Sequence, residues 1–156
     1  MIYLGADHRG FNLKEALKKY LAELSNDFSA RGGPALGWED LGALELNPDD
    51  DYPDYALAVA KKVAENPDEN RGILICGSGV GVDIVANKIK NIRSALGFDA
   101  KQAQMSRNDD NANVLSLSAD FISEGLAKKI VKIWLETAFS GLEHHARRIE
   151  KIKKIE

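Results

Sequence analysis

The reactive potential of this 156-residue chain is concentrated in one stretch, "ILICGSGVGVDIVANK", residues 73–88. An apolar run leads straight into the only cysteine, Cys76, and glycines follow at Gly77, Gly79 and Gly81. Glycines ahead of a helix expose several backbone N–H groups, and the helix dipole behind them favours an anion. A thiol in that setting is a candidate base or nucleophile. The amides beside it suit an oxyanion formed during reaction. The competing assignment is that Cys76 only packs, as most lone cysteines do. Two other loop chemistries fit worse. Dinucleotide binding asks for Gly-x-Gly-x-x-Gly after a first strand and an acid about 20 residues on. Here the spacing is Gly-x-Gly-x-Gly, in mid-chain, with only Asp99 near the acidic position. The ATP phosphate loop ends in Gly-Lys-Ser/Thr, whereas Lys88 lies seven residues beyond Gly81.

The rest of the chain must position that loop. At 156 residues it fits one domain, residues 1–156, with room for a real core. A net charge of −3 gives no electrostatic case for nucleic acid. No apolar run reaches the roughly 20 residues that cross a bilayer, so no membrane partner is expected. Asp7, His8 and Arg9 interrupt the first apolar stretch, so it does not read as a signal peptide. A single cysteine cannot form an internal disulfide, which suits a reducing cytoplasm.

Strands are predicted at 2–7, 71–76, 93–98 and 113–118, with one further short strand near the end of the Gly-rich connection 25–42. Helices are predicted at 8–24, 56–66, 81–89, 100–108, 123–139 and 144–155. Leu13, Leu17, Leu21 and Leu24 share one helical face, as do Leu126, Ile130, Ile133 and Trp134. The segment 47–55, "NPDDDYPDY", reads as a polar turn. Strands alternating with helices predict an α/β fold: a mostly parallel sheet of about five strands, helices on both faces, and a C-terminal helix. Ligands bind such sheets beyond the carboxyl ends of the strands. That directs attention to Asp7 and His8, to 76–81, to 97–99 and to the 116–120 loop.

Four segments together carry a family resemblance: "GADHRGFNLKEAL" from residue 5, "DYPDYA" from 51, "GILICGSGVGVDIVANK" from 72 and "NANVL" from 111. The chain resembles ribose-5-phosphate isomerase B and the related galactose-6-phosphate isomerases over nearly its whole length. The resemblance implies a Rossmann-like three-layer α/β/α fold. It implies aldose–ketose isomerisation of a sugar phosphate, ribose 5-phosphate to ribulose 5-phosphate by default, without metal or other cofactor. It also implies a homodimer whose two sites each use both subunits, with a tetramer left open. On this basis Cys76 moves a proton between C2 and C1 through a cis-enediol. Ser78 and the backbone amides of Gly77, Gly79 and Gly81 hold the enediolate oxygens, and Val80 belongs to the substrate-binding loop. Asp7 and His8 bind the sugar, and Tyr52 lines the pocket. Asp109 and Asp110 stand where the family has a ring-opening histidine and an asparagine. His144, His145 and Arg148 fall in the phosphate-binding tail.

The departures concern the substrate. Asp109 accepts a proton more readily than it donates one. A phosphate arginine of the family falls at Asp120, and another at His144; Arg9 and Arg147 are nearby candidates to compensate. Asp83, at a helix N-terminus, is either an auxiliary carboxylate or a dipole-satisfying acid. Adjacent His144 and His145 point about 100° apart on a helix, a poor chelating pair. The segment 25–37 is longer than its family counterpart and reads as a pocket border or a surface insertion. Three functions therefore stand: the ribose 5-phosphate isomerase, an isomerase of another sugar or sugar phosphate, and a sugar-binding homologue without turnover.

Overall fold

The computed structural model describes residues 1–30, 32–33 and 35–156; Arg31 and Pro34, within the 25–37 connection, lie outside the described residues. Five strands form one sheet: β1 (Ile2–Ala6), β2 (Trp38–Asp40), β3 (Arg71–Cys76), β4 (Ser94–Gly97) and β5 (Val114–Ser118). Their order is β2-β1-β3-β5-β4, and every pairing is parallel. Six helices connect and cover them: α1 (Phe11–Ala30), α2 (Tyr52–Ala64), α3 (Val80–Ala86), α4 (Ala100–Asp110), α5 (Glu124–Glu136) and α6 (Glu143–Lys153). The predicted three-layer architecture is therefore present, with a sheet that is wholly parallel.

The layers follow from the pleat. Ile73 and Ile75 of β3 point to one face, where they meet Leu13, Leu17, Leu21 and Leu24 of α1 and Ile130 and Trp134 of α5. Leu74 and Cys76 point to the other, among Val59 and Val63 of α2 and Val82 and Ala86 of α3. β3 is buried from Gly72 through Cys76, as a central parallel strand must be. The single thiol thus ends the innermost strand, on the α2/α3 side. Among the described residues, no helix is long and apolar enough to cross a membrane.

Several boundaries differ from the sequence expectation; α3, for one, ends at Ala86 rather than 89. α1 starts at Phe11 after a turn at 8–10 and continues to Ala30, so half of the supposed 25–37 insertion is helix. α2 starts at Tyr52, inside the expected polar turn, because Pro53 occupies its first turn, where a missing N–H costs nothing. α5 ends at Glu136 rather than 139.

Candidate active site

The register of β1 on β3 sets Ala6 beside Ile75, so Asp7 and His8 emerge next to Cys76 and Gly77. Close approach of the two loops requires Gly10: a Cβ there would lie 2.4 Å from the Ile75 carbonyl oxygen. Asp7 is buried, and its Oδ1 accepts from the N–H groups of Arg9 (3.1 Å) and Gly10 (2.9 Å). It therefore shapes the turn that presents His8.

The glycine loop is aimed by its carbonyls. The Cys76 carbonyl accepts from Ala119 N at 2.9 Å; the Gly77 carbonyl accepts from Asp120 N at 3.0 Å and Ser118 Oγ at 2.7 Å. In a trans peptide the N–H points opposite to the C=O. With both carbonyls tied to the β5 loop, the N–H groups of Gly77 and Ser78 turn the other way, and neither has an acceptor among the described residues. Gly79 adopts φ +77°, a left-handed conformation that glycine allows. Its N–H donates to Cys76 Sγ at 3.1 Å, fixing the buried sulfur. Val80 N reaches Ser78 Oγ at 3.3 Å, and Ser78 itself is exposed. The loop thus divides its amides: one holds the sulfur, and others face the cleft.

Two side chains border this loop. Tyr52 lies against Gly81, where an added Cβ would meet its ring at 2.7 Å. Arg9 lies over Gly77 and forms an ion pair with Asp120. A Cβ on Gly77 would come within 2.6 Å of Arg9 Nε. Asp120 thus keeps an arginine at the loop rather than leaving it without one.

Sequence reasoning missed Asp50. Its Oδ1 accepts from His8 N at 2.9 Å and pairs with His8 Nδ1 at 2.7 Å. That side-chain hydrogen bond raises the His8 pKa above its ordinary value, more than partial burial lowers it. The only sequence signal was the acidic run 49–51, and no spacing tells which of its members meets a residue 42 positions away.

Asp83 does not face the thiol network. Its Oδ1 accepts from Ser94 Oγ at 2.6 Å, and Ser94 Oγ in turn pairs with Ser116 Oγ at 2.9 Å. Burial raises its pKa, against the lowering effect of those hydroxyls.

The remaining expected site residues form a second group. α4 runs back from the carboxyl edge of the sheet, so Asp109 and Asp110 lie at the opposite edge, where Arg93 Nε donates to the Asp110 carbonyl at 3.1 Å. His145 Nε2 is 3.8 Å from Asp109 Oδ1, and its Nδ1 pairs with Ser140 Oγ at 2.7 Å. His144 and Arg148 are exposed on the same helix, α6. Within one chain, then, Asp7, His8, Tyr52, Cys76, Gly77, Ser78, Gly79, Val80 and Gly81 come together; Asp109, Asp110, His144 and Arg148 do not join them.

A wholly parallel α/β/α sandwich with a buried thiol and a glycine loop at the carboxyl edge of its central strand defines a class: a Rossmann-like α/β protein with its candidate site at that edge. The chain belongs to the ribose/galactose isomerase family, whose model matches residues 2–152. The crystal structure of ribose-5-phosphate isomerase B from Mycoplasma genitalium with bound ribulose-5-phosphate is 40% identical, with a TM-score of 0.84, covering 99% of this chain and 94% of that one. Type B ribose 5-phosphate isomerase of Trypanosoma brucei is 38% identical, with a TM-score of 0.87 and coverage of 99% and 97%. A relative from Mycolicibacterium smegmatis, D-erythrulose-4-phosphate isomerase 2, is 36% identical over 151 residues, 97% of this chain and 93% of the relative.

Proposed function

We propose that the chain interconverts ribose 5-phosphate and ribulose 5-phosphate through a cis-enediol. Cys76 Sγ, as thiolate, removes the proton from C2 of the open aldose. The C1 carbonyl oxygen becomes an enediolate oxygen, held by the N–H groups of Gly77 and Ser78 and by the Ser78 hydroxyl. A proton passes from the O2 hydroxyl to O1 across the cis-enediol, and the Cys76 thiol returns its proton to C1 as the C2 carbonyl forms, giving the ketose. The observation that carries this reading is the fixed sulfur beside amides whose carbonyls are tied away from the cleft. Positioned proton transfer contributes roughly 10²- to 10⁴-fold, and one good oxyanion donor about 3 to 4 kcal/mol. Both come from residues within one turn of chain.

Asp7 and His8 orient the sugar, and Tyr52 forms a wall. The second group, Asp109, Asp110, His144 and Arg148, serves the site of a partner protomer in a homodimer with shared sites. Support comes from its distance in the fold from its own chain's thiol and from the exposure of His144, Arg148 and Asp110. A cytoplasmic setting keeps the free thiol reduced.

The test is conversion of ribose 5-phosphate by wild type and Cys76→Ala, without added metal. Activity that collapses at least 10²-fold in the variant, with folding intact, supports the reading. Binding without turnover in the wild type would turn the assignment to a sugar-binding homologue. A second reading, another sugar phosphate, is favoured by the Arg9–Asp120 pair at the loop, which offsets the arginine's charge there. The relative named for D-erythrulose 4-phosphate makes that tetrose the first alternative to assay.

A further inference from the structure

Ribose 5-phosphate exists almost wholly as a furanose closed through O4, and that ring has no carbonyl beside C2. Ring opening must precede the chemistry of Cys76. It requires a group that takes the proton of the anomeric O1–H and returns one to the ring oxygen O4. Within one protomer the carboxyl edge of the sheet offers one imidazole, His8, and its hydrogen bond to Asp50 sets its tautomer. Asp50 Oδ1 takes the hydrogen on Nδ1 and also the backbone N–H of the same residue, so ring and main chain share one anchor. The Asp50 side chain is only 5% exposed, and its second oxygen, Oδ2, is buried without a hydrogen-bond partner among the described residues. Asp7 and Tyr55 also lie close, but only Asp50 bonds the ring. Nε2 makes no hydrogen bond among the described residues, and the His8 side chain is 32% exposed.

We infer that His8 is a proton shuttle for sugar ring opening and that Asp50 is its positioning residue. The inference rests on the isomerase reading above. Nε2 of neutral His8 accepts the proton of O1–H. The O1–C1 double bond forms as the C1–O4 bond breaks, and O4 leaves with the electron pair. The imidazolium then delivers the same proton to O4, which becomes the 4-hydroxyl. O1 and O4 share C1, so one nitrogen reaches both in turn. No other reactant is consumed. The charge of Asp50 stabilises the transient imidazolium and keeps Nδ1 protonated, which leaves Nε2 as the acceptor.

The test uses ribose 5-phosphate carrying hydrogen or deuterium at C2, with wild type, His8→Gln, Asp50→Asn and Cys76→Ser. His8→Gln is expected to lower kcat/KM about 10²-fold, and Asp50→Asn about tenfold. In both, the deuterium isotope effect on kcat/KM should fall to or stay near 1, because ring opening limits the rate. Cys76→Ser should show a large isotope effect, since C–H cleavage limits there. Equal rates in wild type and either variant would overturn the inference. So would a slow His8→Gln or Asp50→Asn enzyme with a large isotope effect, which would place the lesion at the C–H step. Circular dichroism excludes misfolding, and His8→Gln, a half-exposed site, covers the case in which Asp50→Asn fails to fold. A wild type inactive on both isotopologues would instead strike the isomerase reading itself.

Discussion

Glycine and aspartate make opposite demands at the loop. Gly79 combines φ +77° with a space in which a Cβ would sit 2.6 Å from Leu96 Cδ1 and 3.0 Å from the Leu117 carbonyl carbon. Gly79→Ala should therefore cost about 2 kcal/mol of stability, from a left-handed alanine and the collision together. It should also weaken the hydrogen bond to Cys76 Sγ. Thermal unfolding and kcat should fall together; a variant with full stability and full activity would show that the loop repacks freely. Asp83 is the contrasting case. Its carboxylate is spent on Ser94, and burial already raises its pKa. Asp83→Asn keeps an acceptor for the Ser94 hydroxyl and removes a charge that burial disfavours. Its kcat should stay within about threefold of wild type, because no proton-transfer contribution of 10²-fold or more is lost. A drop beyond tenfold would make Asp83 an auxiliary acid after all.

At the scale of elements, α1 is fastened to the end of β2 by ion pairs as well as by the packing of Trp38 on the α1 core. Lys14 is fully buried and forms an ion pair with Asp40; Lys18 reaches the same carboxylate at 2.7 Å. Asp40 Oδ1 also accepts from Gly42 N at 3.0 Å. Removing one member of a buried pair costs about 3 to 5 kcal/mol when a charge is stranded. Lys18 remains as a partner here, so Lys14→Met should cost only about 2 kcal/mol, read by chemical denaturation. Burial alone would raise the Asp40 pKa, but the two lysines outweigh it and the net shift is downward from 3.8. A depressed carboxylate pKa stabilises the fold above the unfolded value and loses that effect as pH falls through the folded one. The cost of Lys14→Met should thus shrink below about pH 4. These elements also show what a sequence carries. β3, the glycines and α3 were legible, because an apolar run and a turn of glycines are local signals. The last six residues of α1 were not, since "SNDFSA" is polar and offers no stripe. The start of α2 was hidden by Pro53, which reads as a turn breaker yet suits a first helical turn. Asp50 and the Arg9–Asp120 pair join residues 42 and 111 positions apart, which no periodicity encodes.

At the scale of the molecule, the two groups of proposed site residues occupy opposite edges of one sheet. Five strand residues at about 3.3 Å each span roughly 17 Å, too far for one pentose phosphate to bridge. In the proposed homodimer a lone protomer holds half of each constellation, so specific activity should fall on dilution below the dissociation constant of that dimer. Activity per chain that is constant down to concentrations where light scattering reports monomer would remove the shared site. The same separation has a genetic consequence. A lesion at Cys76 and a lesion at Arg148 spoil different halves, so a heterodimer of the two mutant chains rebuilds one whole site and spoils the other twice. Two defective alleles of a single gene would then sort into two complementation groups, as if they were different genes.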